Sequence, residues 1–208
     1  MLFFKRKSYD SPLNASTIAP VHRSEGYLQG QLLVSTPLIT ASCFHKSVIY
    51  LFAHNEDGAM GIIVNQPLEY VTYDALLEES DLPRTSSDDE IAVYYGGPVD
   101  RSRGFVIHST DYNKGELLCA HDGIAVSANT GILKDIAEGH GPAHATLVVG
   151  YAGWTAGQLE REIEENSWIT VPATRELVFD IDDEMKWGMA SQSLGIDMNF
   201  FSHSVGHA

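Results

Sequence analysis

Short apolar runs rich in β-branched and aromatic residues recur along the chain, and glycine, proline or asparagine bounds most of them. Two of these runs, 48–52 and 62–64, flank the sequence Asn-Glu-Asp-Gly at 55–58. Because that sequence favours a tight turn, the pair predicts a β-hairpin. The continuous apolar run at 145–149 is typical of a buried central strand. Further strands are predicted at 28–34, 91–95, 105–107, 117–119, 124–126, 169–171 and 177–179.

Helical spacing of apolar residues interrupts these strands at four places, 73–79, 132–139, 155–165 and 183–194. In the third, Thr155 and Gln158 have the spacing of a capping box, in which two side chains satisfy free N–H groups at a helix start. The strands cluster early in the chain, and the helices are interspersed later. This order favours a single α+β domain with a mixed sheet over a doubly wound parallel sheet.

The first 25 residues contain four serines, two prolines, one asparagine and one threonine, and they lack apolar periodicity. We therefore expect a flexible N-terminal tail at 1–25 and one domain at 26–208. The apolar start at 1–4 is followed at once by basic residues, which is the reverse of a secretory signal. No apolar run approaches the roughly 20 residues that span a bilayer. The expectation is a cytoplasmic protein without a membrane anchor.

Acidic residues dominate the charge of the chain. It carries 13 Lys and Arg against 28 Asp and Glu, a formal net charge of −15. Such a surface repels phosphate backbones and removes the electrostatic attraction that supplies most non-specific nucleic-acid affinity. Direct nucleic-acid binding is therefore disfavoured.

Several separated stretches match one known family. They are Ser47-Val48 through His54-Asn55, Gly58-Ala59-Met60-Gly61-Ile62-Ile63-Val64-Asn65, Gly96-Gly97-Pro98-Val99, Arg103-Gly104-Phe105-Val106-Ile107-His108, Gly150-Tyr151-Ala152-Gly153-Trp154, Gly157-Gln158-Leu159, Asn166-Ser167-Trp168 and Gly206-His207-Ala208. On these residues, the chain resembles the YqgE/AlgH family of bacterial proteins over about 27–208. The biochemical function of that family is not established.

The resemblance implies an α+β domain built on a large, branched, mostly antiparallel mixed sheet with helices packed against it, in a cytoplasmic protein. One branch of the family is often labelled a transcriptional regulator, through a name tied to alginate synthesis. The family supplies no established catalytic residues, so none is assigned. The acidic composition and the lack of a basic recognition helix disagree with direct DNA binding.

A glycine-rich passage at 148–155 joins the predicted central strand to the capped helix. Free N–H groups at a helix start attract anions, so a bound phosphate or carboxylate is one interpretation. Gly157 is followed by Gln158 rather than by Lys and Ser or Thr, so this is not a Walker A loop. The interpretation we favour is that Gly153 and its neighbours allow close packing and that Trp154 fills the core.

Arg101 and Arg103 follow a glycine turn that contains Gly97. Two arginines beside a turn with exposed backbone can grip a carboxylate or a phosphate. They can also pair with Asp100 or Asp111. We favour the pairing, because ion pairs within the chain are the usual fate of surface arginines.

A histidine beside a carboxylate can act as a general base, and the candidates are His54 at the predicted turn, His108 at a strand end and His121 beside an aspartate. The spacing places no serine or cysteine nucleophile near them, and the Gly-x-Ser-x-Gly pattern is absent. His140 and His144 are four apart, but an intervening glycine and proline prevent the helical turn that would aim both at a metal. No metal or cofactor site is predicted.

The two cysteines, Cys43 and Cys119, are far apart and form no C-x-x-C pair, which argues against a zinc ribbon or a disulfide scaffold. Cys43 has His45 and Lys46 nearby, and a cationic setting makes a thiol reactive. Free cysteines are more often buried, however, so we favour burial for Cys43 and inert packing for Cys119.

These observations predict a non-enzymatic binding or regulatory module that acts through an unknown protein or a small anionic ligand. The alternatives are an enzyme, either a hydrolase or a thiol-dependent redox protein, and, less favoured, a direct DNA-binding regulator. The predicted binding surface combines the hairpin turn, the glycine–arginine stretch and the glycine-rich passage. Its residues are His54, Asn55, Gly97, Arg101, Arg103, Gly153, Trp154 and Gln158.

Overall fold

The computed structural model describes residues 26–71, 73 and 91–195. Its strands are β1 (Gln31–Ser35), β2 (Val48–Asn55), β3 (Gly58–Ile63), β4 (Val93–Tyr95), β5 (Val99–Ser109), β6 (Leu117–His121), β7 (Ile124–Ser127), β8 (Ala145–Thr155) and β9 (Trp168–Pro172). Its α-helices are α1 (Thr130–Ala137), α2 (Gln158–Glu164) and α3 (Asp183–Gln192), and shorter helical turns lie at Ser42–Phe44 and Glu176–Asp180. The predicted tail at 1–25, the closing residues 206–208 and the predicted helix at 73–79, apart from Tyr73, lie outside the described residues.

The described strands form one sheet in the order β6-β7-β5-β8-β3-β2-β1-β9, with β4 as a branch on β8. Every pair is antiparallel except β4 with β8, which is parallel. The branch arises because the first half of β8 lies between β4 and β5, whereas its second half pairs with β3. This mostly antiparallel, branched sheet with packed helices confirms the α+β prediction.

Gly150 divides β8 into two halves with opposite side-chain alternation. Before it, Leu147 and Val149 pack into the apolar layer beneath α1, and after it Trp154 packs into the layer beneath α2. Side chains along a regular strand alternate between the two faces of the sheet. In β8 the outer face is reached from odd-numbered positions before Gly150 and from even-numbered positions after it. The backbone therefore shifts by one position at Gly150. Its φ is +75°, and a Cβ there would lie 2.6 Å from the carbonyl oxygen of Gly97. Only glycine fits this position.

The inner face of the sheet curls around the largest apolar core. Phe52 of β2, Phe105 of β5 and Tyr151 of β8 belong to it, and the rings of Phe52 and Phe105 lie 5.3 Å apart. Phe105 and Tyr151 meet edge to face at 6.0 Å. Side chains of α3 and of the turn at Glu176–Asp180 cover this face. Burying each side chain of this size contributes about 1.5–3 kcal/mol, so this core is a major source of the stability of the domain.

One predicted strand is wrong, because the apolar run at 177–179 lies in the π-helical turn Glu176–Asp180. Thr174 starts this turn. Its hydroxyl accepts the N–H of Leu177 at 3.2 Å, and its carbonyl accepts the N–H of Val178 at 3.1 Å. The local hydrogen bonds of the threonine outweigh the β-propensity of the Leu-Val-Phe sequence.

The boundary between the central strand and the following helix also differs from the prediction. β8 continues to Thr155, and α2 begins only at Gln158, after Gly157 at φ +70°. Gln158 still reaches back as a capping-box glutamine, since its Oε1 accepts the backbone N–H of Thr155 at 3.1 Å. The hydroxyl of Thr155 donates to the same Oε1 instead of capping the helix.

The β2–β3 hairpin, the other predicted strands and the helices α1 and α3 are confirmed. None of the helices in the described ranges is both long and apolar enough to cross a membrane.

Candidate functional site

His54 connects three segments of the fold. Its Nδ1 accepts the backbone N–H of Leu28 at 2.9 Å, so the ring hydrogen lies on Nε2 and is donated to Oε1 of Glu160 at 2.8 Å. Burial alone would raise the pKa of Glu160, but its own backbone N–H and the ring of His54 hold that pKa below its usual value. The His54 side chain is only 1% exposed. With both nitrogens engaged, His54 holds α2 and the residues before β1 against β2.

Asn55 shapes the hairpin turn beside His54. Its Oδ1 accepts the backbone N–H of Asp57 at 2.9 Å, which is the bond of an Asx-turn. The side chain of Asn55 is exposed, but its acceptor is used within the turn. Its observed role is therefore local.

Glu162 of α2 collects three donors at the glycine-rich passage. The indole N–H groups of Trp154 and Trp168 donate to its Oε2 at 2.9 and 2.8 Å, and Nε2 of Gln158 donates to its Oε1 at 2.8 Å. The two indole rings meet edge to face at 5.8 Å. Trp154 is 3% exposed, which confirms that it fills the core. Trp154 and Gln158 therefore clamp α2 to the sheet.

The glycine turn at 96–97 crosses closely over β8. Gly97 has φ +150°, and a Cβ there would lie 2.5 Å from the backbone nitrogen of Ala152. A side chain at this position would force the two segments apart. Gly153 differs, because it is exposed and a Cβ there would meet only side-chain atoms, of Tyr151 at 3.3 Å and of Val99 at 4.0 Å.

Arg101 and Arg103 stack on aromatic rings instead of pairing with carboxylates. The guanidinium carbon of Arg101 lies 5.1 Å from the ring centre of Tyr95, and that of Arg103 lies 5.2 Å from the ring centre of Phe105. Phe105 belongs to the inner core, whereas Tyr95 packs against the outer layer beneath α2. The two guanidinium groups therefore contact rings on opposite faces of the sheet, and they do not form one joint cationic site.

The favoured pairing of these arginines with Asp100 or Asp111 is wrong. Oδ1 of Asp100 accepts the hydroxyl of Ser102 at 2.7 Å. Asp111 accepts the hydroxyl of Ser109 and, at 2.9 Å, the backbone N–H of Ala143. The bond from Ser109 is the main reason that the pKa of Asp111 lies below its usual value. Among the described residues, no carboxylate lies within ion-pair distance of either guanidinium group.

The three predicted stretches converge, because the glycine-rich passage belongs to β8 and the other two stretches pair with β8. Gly58 of the hairpin turn pairs with Thr155, and Val99 pairs with Tyr151. The hairpin turn and the glycine-rich passage are mostly buried or bonded within the chain, so they act as determinants of the fold. Residues 98–103 differ, because all of them are exposed except Arg103, which is half-buried. We call this stretch the β5 arm.

The β5 arm departs from the regular sheet. β5 pairs with β8 at Val99 and resumes pairing only at Gly104, so the residues between them form a bulge. Asp100 in this bulge has φ +40°, a conformation that non-glycine residues rarely adopt. Val99 is 37% exposed and adjoins the exposed Gly153. Bulges re-aim side chains and are frequent beside functional surfaces.

The family model described as AlgH-like (DUF179) matches residues 32–199. The chain belongs to the AlgH-like family. A UPF0301 protein of Bradyrhizobium sp. (strain BTAi1) is 46% identical to it over 191 residues, which cover 88% of each chain. A UPF0301 protein of Jannaschia sp. (strain CCS1) is 45% identical over 183 residues, covering 87% of this chain and 95% of its own.

Two solved structures share the fold of this AlgH-like chain. The solution structure of AlgH from Pseudomonas aeruginosa matches with a TM-score of 0.72 and 34% identity, over 90% of this chain and all of that one. A crystal structure of a protein from Corynebacterium diphtheriae matches with a TM-score of 0.65 and 22% identity, over 88% and 95% of the two chains. The second likeness shows the fold alone.

His108 of the AlgH-like chain is fully buried and pairs with a serine that the sequence did not indicate. Its Nδ1–H donates to the carbonyl of Ser109 at 2.9 Å, so its Nε2 accepts the hydroxyl of Ser127 at 2.9 Å. Burial lowers the pKa of His108 and outweighs the opposite effects of the Ser109 carbonyl and Asp111. His108 and Ser127 are both 0% exposed, so this pair is structural. His108 and Ser127 are 19 positions apart in the sequence, and no sequence motif links a histidine and a serine at that spacing.

The remaining histidines of the described ranges do not assemble a metal site. His121 packs beside Gly30, and the ring of His144 stacks on Phe179 at 5.5 Å. Nδ1 of His144 lies 3.9 Å from Oδ1 of Asp180 at the surface. Within the described part of the chain, no three His, Cys, Asp or Glu side chains are placed to hold a metal ion.

The cysteines differ in exposure. Burial raises the pKa of the Cys119 thiol to about 12, and its Sγ lies 3.7 Å from the hydroxyl of Tyr50, which confirms inert packing. Cys43 lies in the short helical turn Ser42–Phe44 and is only half-buried. The expectation of full burial for Cys43 is therefore wrong, because this turn lies at the margin of the outer layer.

A buried lysine at α3 is the largest feature that the sequence did not reveal. Nζ of Lys186 donates to the carbonyl of Val64 at 2.9 Å and to Oδ1 of Asp183 at 2.8 Å. The hydroxyl of Tyr94 donates to Oδ2 of Asp183 at 2.6 Å, and burial followed by this bond raises the pKa of Tyr94. The i,i+3 spacing of Asp183 and Lys186 was a local signal, but nothing local indicated Tyr94 or Val64.

Proposed function

We propose that the AlgH-like chain is a non-enzymatic binding module that acts through a protein partner docked on the β5 arm. The observation that carries this proposal is the pair of arginines on the arm. The chain has 28 acidic and 13 basic side chains, yet Arg101 and Arg103 meet no carboxylate in the part that the structure describes. Exposed cations that meet no carboxylate among the described residues of an acidic chain are suited to an acidic partner.

The competing candidate residues support the same proposal by being used internally. His54, Trp154 and Gln158 hold α2 in place, and their polar atoms bind groups of the chain itself. A hydrolase that works through a serine and a histidine needs both side chains where substrate can reach them. The serine–histidine pair among the described residues, Ser127 with His108, is closed to solvent. A binding role on the exposed arm fits these contacts better than catalysis does.

A regulatory role of this chain would not require direct contact with DNA. A chain with a net charge of −15 lacks the electrostatic attraction on which duplex binding depends. A cytoplasmic regulatory role, which the family resemblance implies, would then run through the partner. A protein partner fits better than one small anion, because the two guanidinium groups contact rings on opposite faces of the sheet.

Crosslinking in living cells tests the docking surface. In one variant, a photoreactive amino acid replaces the exposed Ser102. In a second variant, the same amino acid replaces the exposed Lys134 of α1. We expect a discrete crosslinked species from position 102 and none of the same size from position 134. The double variant Arg101→Glu, Arg103→Glu should lose the species, because it replaces attraction with repulsion.

The matched control for charge is Arg161→Glu, which makes the same kind of reversal on the exposed face of α2. It should keep the crosslinked species. A species that survives the double reversal on the arm, or one that forms equally from both probe positions, would rule out the β5 arm as the docking surface.

A further inference from the structure

We propose that residues 2–7 of this chain dock on the exposed face of α3 and cover two methionines there. The contact is independent of the proposed function, since it involves neither the β5 arm nor its partner. Three features support it: the exposed methionines of α3, the acidic residues beside them, and the composition of residues 2–7.

α3 turns a lysine and a serine inward and two methionines outward. Lys186 and Ser191 are 3% and 2% exposed, whereas Met185 and Met189 are 54% and 38% exposed. A surface helix ordinarily has its polar residues outside and its apolar residues inside. Residues four positions apart adjoin on one face of a helix, so the two methionines form one apolar surface. Methionine side chains adapt their shape to a partner, which suits them to binding surfaces.

Acidic residues border this methionine surface. Asp182 lies three positions before Met185 and is exposed, as are Asp180 and Glu184. Lys186 does not neutralise them, because it is buried and donates to Asp183. Among the described residues, no lysine or arginine lies within ion-pair distance of these three exposed carboxylates. An apolar surface with a negative border is suited to a segment that is both apolar and basic.

Residues 2–7 have that composition. Their sequence is Leu-Phe-Phe-Lys-Arg-Lys, and they lie outside the described residues. No other three consecutive positions of the chain are all basic. The apolar half of the segment matches the two methionines, and the basic half matches the acidic border. The segment is therefore the occupant that the sequence of this chain itself supplies.

The chain between this segment and the described domain is long enough for the contact. Gly26 lies nine positions before Ser35, so the two are at most about 30 Å apart. The carbonyl of Ser35 accepts the indole N–H of Trp187 in α3 at 2.8 Å. Residues 8–25 can span up to about 60 Å, which exceeds that distance. A tether of this kind gives a local concentration on the order of 1 mM, which favours the segment's own chain over a second copy.

A spin label tests the contact in the full chain by NMR. The label is attached at Ser8→Cys in a Cys43→Ser background, because Cys119 is buried and Cys43 is half-buried. We expect the methyl signals of Met185 and Met189 to lose most of their intensity. The exposed amides of residues 130–131 in α1 are the reference for random encounters, since α1 covers the outer layer and α3 the inner core. Equal losses at α1 and α3, or no loss at α3, would overturn the proposal.

Variants of the segment separate its two halves. Lys5→Gln, Arg6→Gln and Lys7→Gln together should restore the methionine signals, because they remove the attraction to the acidic border. Phe3→Ser with Phe4→Ser should also restore them. The matched control is Arg23→Gln, which removes a charge elsewhere in residues 1–25 and should leave the signal loss unchanged. A signal loss that persists without the three basic residues would mean that charge does not select this segment, and the proposal would fail.

Two other occupants give different results. If spin-labelled chain broadens the methionine signals only when mixed with a separate isotopically labelled chain, the segment docks on a second copy and the contact within one chain is refuted. If the methionine signals stay sharp and the chain cosediments with phosphatidylglycerol vesicles through its three consecutive basic residues, the segment is a membrane contact instead. The crosslink from position 102 is measured separately, so neither result bears on the β5 arm.

Discussion

The α2 clamp, formed by His54, Trp154, Trp168 and Glu162, and the β5 arm are two regions built from the same kinds of residue beside the same strand. Both combine glycines, aromatic rings and charged groups next to β8. In the clamp, each polar group described above has a partner within the chain. In the arm, the two guanidinium groups lie over aromatic rings and meet no carboxylate among the described residues. Residue types alone therefore do not separate the clamp from the surface that we propose for binding. The two regions differ in exposure and in whether their charged groups have partners among the described residues.

The largest expected effect comes from removing the central ring of the clamp. Trp154→Ala should lower the free energy of unfolding by about 3–5 kcal/mol, because it leaves a cavity under α2. Urea denaturation measures this change. Val99→Ala on the arm is the matched comparison and should cost less than about 1 kcal/mol, since Val99 is partly exposed. Equal losses at the two positions would erase the distinction between clamp and arm.

The carboxylate of the clamp should matter more than its neighbours. Glu162→Gln leaves one acceptor oxygen where there were two, and it places an NH₂ group among the N–H donors around this side chain. We therefore expect a loss of about 1–3 kcal/mol in the free energy of unfolding. Glu164→Gln makes the same chemical change at an exposed site on the same helix and should be nearly neutral. A neutral result at Glu162 would mean that its three hydrogen bonds do not hold α2.

Acid sensitivity should follow buried His108. Its folded pKa is lowered, whereas its unfolded pKa is about 6.5. Below about pH 6.5 the unfolded chain binds a proton that the folded chain does not, so the free energy of unfolding falls by up to about 1.4 kcal/mol per pH unit. Denaturation curves between about pH 7.5 and 5 should lose this slope in His108→Gln and keep it in exposed His140→Gln. An unchanged slope in His108→Gln would contradict this assignment.

The smallest effect on stability belongs to the arm. Arg101→Glu with Arg103→Glu removes two surface cation–ring contacts, so the free energy of unfolding should change by less than about 1–2 kcal/mol. Thermal or urea denaturation checks this. The same variant should nevertheless lose the crosslinked partner. A loss of several kcal/mol in the free energy of unfolding would mean that the arm stabilises the fold as the α2 clamp does, and the two regions would no longer differ.

Short-range patterns predicted most elements of the fold. The apolar runs of β2 and β3 with the turn at 55–58 sufficed for the hairpin, and helical spacing sufficed for α1 and α3. Such patterns do not predict the turn at 177–179, where a bond to Thr174 decides the conformation, or the start of α2, where Gly157 delays the helix. Both errors occur where one hydrogen bond or one φ value outweighs the average propensity of a window.

The candidate site is harder to predict, because its members act over long sequence distances. The sequence draws attention to His54 and Trp154, but their partners Glu160 and Glu162 carry no local signal beyond their place on an amphipathic helix. The arginines are also evident, yet the favoured ion pairs are absent from the described residues, where both guanidinium groups lie over aromatic rings. A sequence shows which groups need partners; it does not show which partner is nearest.

The sequence by itself determined the acidic character of the chain, its strand-rich α+β class and its family, since composition, periodicity and motif residues are all local properties. Only the tertiary structure decided that the glycine-rich passage is buried, that His54 and Trp154 serve α2, and that Arg101 and Arg103 meet no carboxylate among the described residues. The physical reason is that burial and hydrogen-bond satisfaction depend on which strands lie side by side, and β8 brings together residues that are about 50–100 positions apart.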